Sequence, residues 1–120
     1  MTTEHPDNTA WVELGTRLRE VREYLNLTQQ YVADKTGVPR SAISDVERGV
    51  RKVDSLELKK FSKLYLYPVS YFLGEDELDE DVKALARAVT ELTDHDRAEV
   101  LRYAQFLRFS AAAEERQQRR

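Results

Sequence analysis

The chain has 120 residues, 41% of them hydrophobic and 34% charged, with a formal net charge of −3 and no cysteine. This is the composition of one well-solvated, helix-rich domain with an appendage; it excludes a disulfide framework and a thiolate metal site and suits a reducing cytoplasm. The opening residues, MTTEHPDNTAW, lack the basic and apolar runs of a signal peptide, and no apolar stretch approaches the ~20 residues that span a bilayer, so no membrane partner is expected.

Residues 1–10 read as a flexible tail. The first helix, about Trp11 to Leu25, places Leu14, Leu18, Val21 and Leu25 on one inward stripe. Asn26 and Leu27 interrupt it before Thr28, an N-cap whose hydroxyl can accept from an orphan backbone N–H. From Thr28 to Gly49 the chain, TQQYVADKTGVPRSAISDVERG, reads as two short helices about a tight glycine turn. Tyr31, Val32, Ala33 and Thr36 form the apolar flank of the first. Gly37 suits a left-handed C-cap, Val38 turns inward, and Pro39 pre-sets the backbone for the next helix. In that helix Ile43 and Val46 face the core, while Arg40, Ser41, Ser44 and Asp45 fall on the other side. Two readings fit the pattern. One is a helix-turn-helix, whose second helix enters the major groove of DNA; the other is an ordinary helical hairpin with a solvated face.

Val50–Val53 is a basic loop. Asp54 caps a fourth helix, with Glu57 completing an acidic capping box and Leu58, Phe61, Leu64 and Tyr65 forming the buried face. Pro68 opens a short fifth helix, VSYFL, that Gly74 ends. Tyr65, Tyr67, Tyr71 and Phe72 are read as core and interface packing rather than as a ligand pocket. Between Lys35 and Lys63 eight basic residues face four acidic ones, a local excess that suits phosphate despite the negative total. Residues 75–81, EDELDED, are read as an acidic linker. A sixth helix, Asp81 to Leu92, is expected to bury Val82, Leu85, Ala86 and Val89. Thr93 with Asp96 starts a seventh, running to about Glu115, and residues 116–120 form a polar tail. His5 and His95 lie far apart without metal-ligand spacing, so no metal site is expected, and neither a catalytic constellation nor a cofactor loop appears.

The run LGTRLREVREYLNLTQQYVADKTGVPRSAISDVERG, followed by SYFLG, resembles the phage-repressor-type helix-turn-helix family, the XRE family. The resemblance covers Leu14 to Gly74. It implies an all-α protein: a five-helix λ-repressor-like DNA-binding domain at 11–74, then a two-helix C-terminal dimerisation region at 82–115. It also implies a transcriptional regulator that is not an enzyme. Gln29 matches the family's phosphate-contacting and bracing glutamine. Arg40, Ser41, Ser44 and Asp45 match its base-reading positions, where an arginine can pair with guanine and a carboxylate can accept from cytosine, each worth about 1–3 kcal/mol of discrimination. Arg48, Arg51 and Lys52 are the phosphate contacts so implied, and Arg22 with Glu47 the structural ion pair. Pro39 departs from the commoner serine or threonine and loses a side-chain cap. Asp45 either rejects sequences or pairs with Arg48 or Arg51.

The last helix is apolar nearly all round, through Val100, Leu101, Tyr103, Ala104, Phe106, Leu107, Phe109 and Ala111. A homodimer through the sixth and seventh helices is expected, with Val100, Leu101, Ala104, Phe106 and Leu107 at the interface, on a palindromic DNA operator. Two alternatives stand beside this: packing on the chain's own first domain, and docking of a protein partner. In the latter case the protein is an antitoxin or adaptor, bound by a toxin or metallopeptidase, whose DNA binding serves autoregulation.

Overall fold

The computed structural model describes residues 6–119. Among them are α1 (Pro6–Tyr24), α2 (Gln29–Thr36), α3 (Arg40–Glu47), α4 (Ser55–Tyr65), α5 (Val69–Phe72), α6 (Glu80–Thr90) and α7 (Asp94–Gln118), with no strand. No helix of the described residues is long and apolar enough to cross a membrane.

The helix boundaries follow from local chemistry. α1 stops where Asn26 takes φ 60°, a left-handed conformation that asparagine tolerates. Thr28 caps α2 by accepting from the Tyr31 N–H at 3.0 Å, and Gly37 ends it at φ 76°. Asp54 and Glu57 form a complete capping box at the start of α4. α4 ends at Leu66, left-handed at φ 63°, and the Ser62 hydroxyl donates to the Tyr67 carbonyl across that turn.

α1 to α5 surround one core, built on Leu18, Leu25, Val32, Ile43, Val46, Phe61, Tyr65 and Phe72. Burial of these side chains removes roughly 1.5–3 kcal/mol of unfavourable hydration each and is the main force shaping the domain.

Five expectations need correction. α1 begins at Pro6, so residues 6–10 extend the helix; Met1 to His5, and with them the His5 expectation, lie outside the described residues. Tyr31, read with the apolar flank of α2, is exposed, with the Lys35 ammonium 5.6 Å from its ring centroid. The compact units meet after Thr90, which groups α6 with the helix-turn-helix rather than with α7. Here two cation–π contacts hold α6, Lys83 Nζ at 5.5 Å from the Tyr71 centroid and the Arg87 guanidinium at 5.3 Å from that of Tyr24. Of its apolar stripe only Ala86 is buried; Val89 is half-buried, and Val82 and Leu85 are exposed. Glu80 and Asp81, read as linker, form its first turn.

The second unit is α7. Thr93 caps it by accepting from the Asp96 N–H, Glu99 pairs with Arg102 one turn on, and Tyr103 stacks on Phe106 at 6.4 Å. The helix passes Glu115 and reaches Gln118.

Candidate nucleic-acid interface

The turn between α2 and α3 is held by one hydroxyl. Thr36 Oγ1 donates to the Val32 carbonyl at 2.7 Å and accepts from the Val38 N–H at 3.2 Å, satisfying two backbone groups inside a buried turn. A Cβ on Gly37 would meet nothing within 4 Å, so the glycine serves the left-handed backbone alone. Pro39 opens α3 without a side-chain cap.

α3 is fixed from behind. Ile43 and Val46 are buried in the core. Glu47, 6% exposed, sits at the end of the helix and accepts from Arg22 Nε at 2.7 Å, Arg22 Nη2 at 3.0 Å and Gln29 Nε2 at 3.0 Å. Arg22 Nη1 also donates to the Leu27 carbonyl at 2.8 Å. One carboxylate thus ties α1, α2 and α3 together, and its hydrogen bond holds the Arg22 guanidinium above its ordinary pKa. α1 crosses α3 closely: a Cβ on Gly15 would lie 2.2 Å from the Val46 carbonyl oxygen. No periodicity in the sequence signals which backbone Gly15 must approach.

The outward face of α3 presents Arg40 and Ser41 exposed and Ser44 and Asp45 half-buried. These four come together on one side of the helix. Asp45 pairs with Arg48, so one anion of the face is neutralised by the cation a turn later. Arg51 makes a two-pronged pair with Glu57, Nη1 to Oε1 at 3.2 Å and Nη2 to Oε2 at 3.1 Å, which raises its pKa. Sequence reasoning missed Glu57 in this role, because the capping box already explained it. Lys52 is exposed and makes no ion pair among the described residues.

Arg40 and Gln29 line the same open cleft of about 380 Å³, which also exposes the N-terminal turn of α2 at Thr28 and Gln30. Backbone N–H groups at a helix start favour an anion. The interface residues expected on α7, Val100, Leu101, Ala104, Phe106 and Leu107, are exposed. No group of three or more histidine or acidic side chains suited to a metal ion occurs among the described residues.

Five helices with this braced pair define a helix-turn-helix domain. Residues 18–72 match the family model described as helix-turn-helix. The HTH-type transcriptional regulator ImmR of Bacillus subtilis (strain 168) is 35% identical over 91 residues, covering 71% of this chain and 72% of that protein. The uncharacterized HTH-type transcriptional regulator y4wC of Sinorhizobium fredii is 31% identical over 78 residues, 65% of this chain and 54% of that protein. The chain therefore belongs to the XRE-type family of helix-turn-helix, DNA-binding transcriptional regulators.

Proposed function

We propose that the protein is a repressor that binds a palindromic operator as a homodimer, with α3 in the major groove. The observation that carries this reading is the outward set of exposed Arg40 and Ser41 with half-buried Ser44 and Asp45, on a helix anchored from behind by Glu47. Arg40 presents a fork that matches guanine O6 and N7, and the serines donate or accept at either base edge. Gln29, Arg48, Arg51 and Lys52 hold phosphates and set the register. Glu57 limits Arg51 to this positioning role, since its guanidinium is already half satisfied.

Dimerisation is assigned to α7. Leu101, Phe106 and Leu107 are 59%, 61% and 49% exposed, a surface that water penalises and that a second copy would cover. Two α3 helices in such a dimer would lie about 34 Å apart, one turn of DNA. Selection of bound genomic fragments by the full-length protein tests this reading. Inverted repeats with centres about 10 base pairs apart, or a multiple of the helical turn, are expected. A single unrepeated half-site would exclude the dimeric reading.

One observation favours a second reading, an adaptor or antitoxin with a protein partner such as a toxin or metallopeptidase. Phe109 is 68% exposed and nine residues from Val100, roughly half a turn around the helix. A single seam through Val100, Ala104 and Leu107 leaves Phe109 uncovered, and a second protein on that face would cover it.

A further inference from the structure

A cavity of about 250 Å³ opens between α1, the α4–α5 turn and α6. Its walls carry Glu20, Tyr24, Tyr67, Tyr71, Glu80 and Lys83. Tyr67 is buried, and its ring meets that of Tyr71 edge to face at 5.1 Å. Three tyrosines and two carboxylates around one cavity form an environment for an organic cation: ring faces attract it through their quadrupoles and carboxylates fix its ammonium.

The chain itself demonstrates that chemistry. Lys83 extends its ammonium into this wall, 5.5 Å from the Tyr71 centroid and 3.6 Å from Glu80 Oε1, with its side chain only 21% exposed. Lys83 pairs with Glu80, whose carboxylate sits at the open mouth with its side chain 87% exposed. Glu20, on the opposite wall, makes no ion pair among the described residues, so the lining carries two carboxylates against one ammonium. Arg87 lies over the Tyr24 ring but is not part of the lining. The volume falls below the ~300–1,000 Å³ of pockets for drug-sized ligands, which limits the occupant to a short chain.

We propose that this cavity binds a small primary alkylammonium, its charge on Glu20 and its chain against Tyr24, Tyr67 and Tyr71. The site is independent of the DNA-binding reading. It lies where α6 is held to α1 and α5, so an occupant would strengthen that joint.

The test is a titration of the full-length protein with n-butylammonium, with n-butanol as the neutral isostere, followed by tyrosine-ring and backbone NMR shifts. Saturable shifts confined to the three tyrosines, Glu20 and α6 are expected, with butanol about ten-fold weaker for want of a charge-assisted bond. Glu20→Gln, at an exposed position, should weaken binding by a similar factor with unchanged circular dichroism. Lys83→Met should strengthen it by removing the resident ammonium. Equal binding of butanol, unchanged affinity in both variants, or non-saturating shifts spread over the acidic residues 75–79 would each overturn the proposal.

Discussion

The carboxylate of Glu47 and the guanidinium of Arg22 meet at 2.7 Å in a site where their side chains are 3% and 13% exposed. Neither group gains much from a pair so desolvated, but each would suffer greatly without the other. The pair acts chiefly as a fixture: it sets the end of α3 against α1, and Gln29 adds α2 to the same carboxylate at 3.0 Å. Glu47→Ala is therefore expected to lose about 3–5 kcal/mol in urea unfolding. Replacement of both partners, Arg22→Met with Glu47→Leu, should cost far less than the two single losses combined. A single-variant loss below 1 kcal/mol would show that the pair is not buried as described.

Gly15 and Gly37 differ in what they avoid. A Cβ at Gly15 meets the Val46 carbonyl oxygen at 2.2 Å, which no side-chain rotation relieves, whereas Gly37 faces open space at φ 76°. Gly15→Ala should force α1 from α3 and lower stability by about 1–3 kcal/mol or more. Gly37→Ala should cost only the backbone strain, about 1–2 kcal/mol. Thermal unfolding of the two variants should rank Gly15→Ala lower, and the reverse order would contradict the α1–α3 crossing.

Charges near α3 should separate affinity from specificity. Lys52→Ala is expected to weaken binding to all DNA sequences about equally and to reduce the salt slope by about 1, the signature of a phosphate contact. Asp45→Asn releases Arg48 from its pair and removes an anion from the DNA face, so affinity for unrelated DNA should rise. Fluorescence anisotropy over a salt series reads both. A fall in affinity for Asp45→Asn confined to one base would instead make Asp45 a direct reader.

Alkaline pH should weaken the fold through Tyr67. Burial first, then the neighbouring Tyr71, Tyr24 and Glu80, raise its pKa from 10.0 to about 12. The folded state thus holds the proton more tightly than the unfolded chain. This contribution is complete below pH 10 and is lost as pH rises toward 12. Urea midpoints should fall across that window, and Tyr67→Phe should lessen the fall. An identical fall in the variant would place the loss elsewhere.

The periodic and capped parts of this fold were legible in the sequence. Leu14, Leu18, Val21 and Leu25 declared the inner face of α1, and Thr28, Gly37, Asp54 and Thr93 declared helix ends through hydrogen bonds that their own side chains or backbones make. The pairing of Arg22 with Glu47 was legible only through family resemblance, since 25 residues separate them. What escaped were contacts between segments distant in sequence that no pattern encodes. α6 looked like half of a separate region because its apolar stripe is strong, yet Lys83 and Arg87 on tyrosine rings hold it to the first unit while Val82 and Leu85 stay exposed. The pairing of Arg51 with Glu57 escaped because Glu57 lies six residues on, beyond helical spacing.

Arg40 gives the most direct test of α3 as the reading helix. Base preferences of the wild-type protein and Arg40→Ala should be compared by selection from randomised DNA under one salt concentration. Loss of a guanine preference at one position in each half-site is expected, worth about 1–3 kcal/mol, with the remaining positions retained. Unchanged preference at every position would contradict the assignment of the reading face to Arg40, Ser41, Ser44 and Asp45.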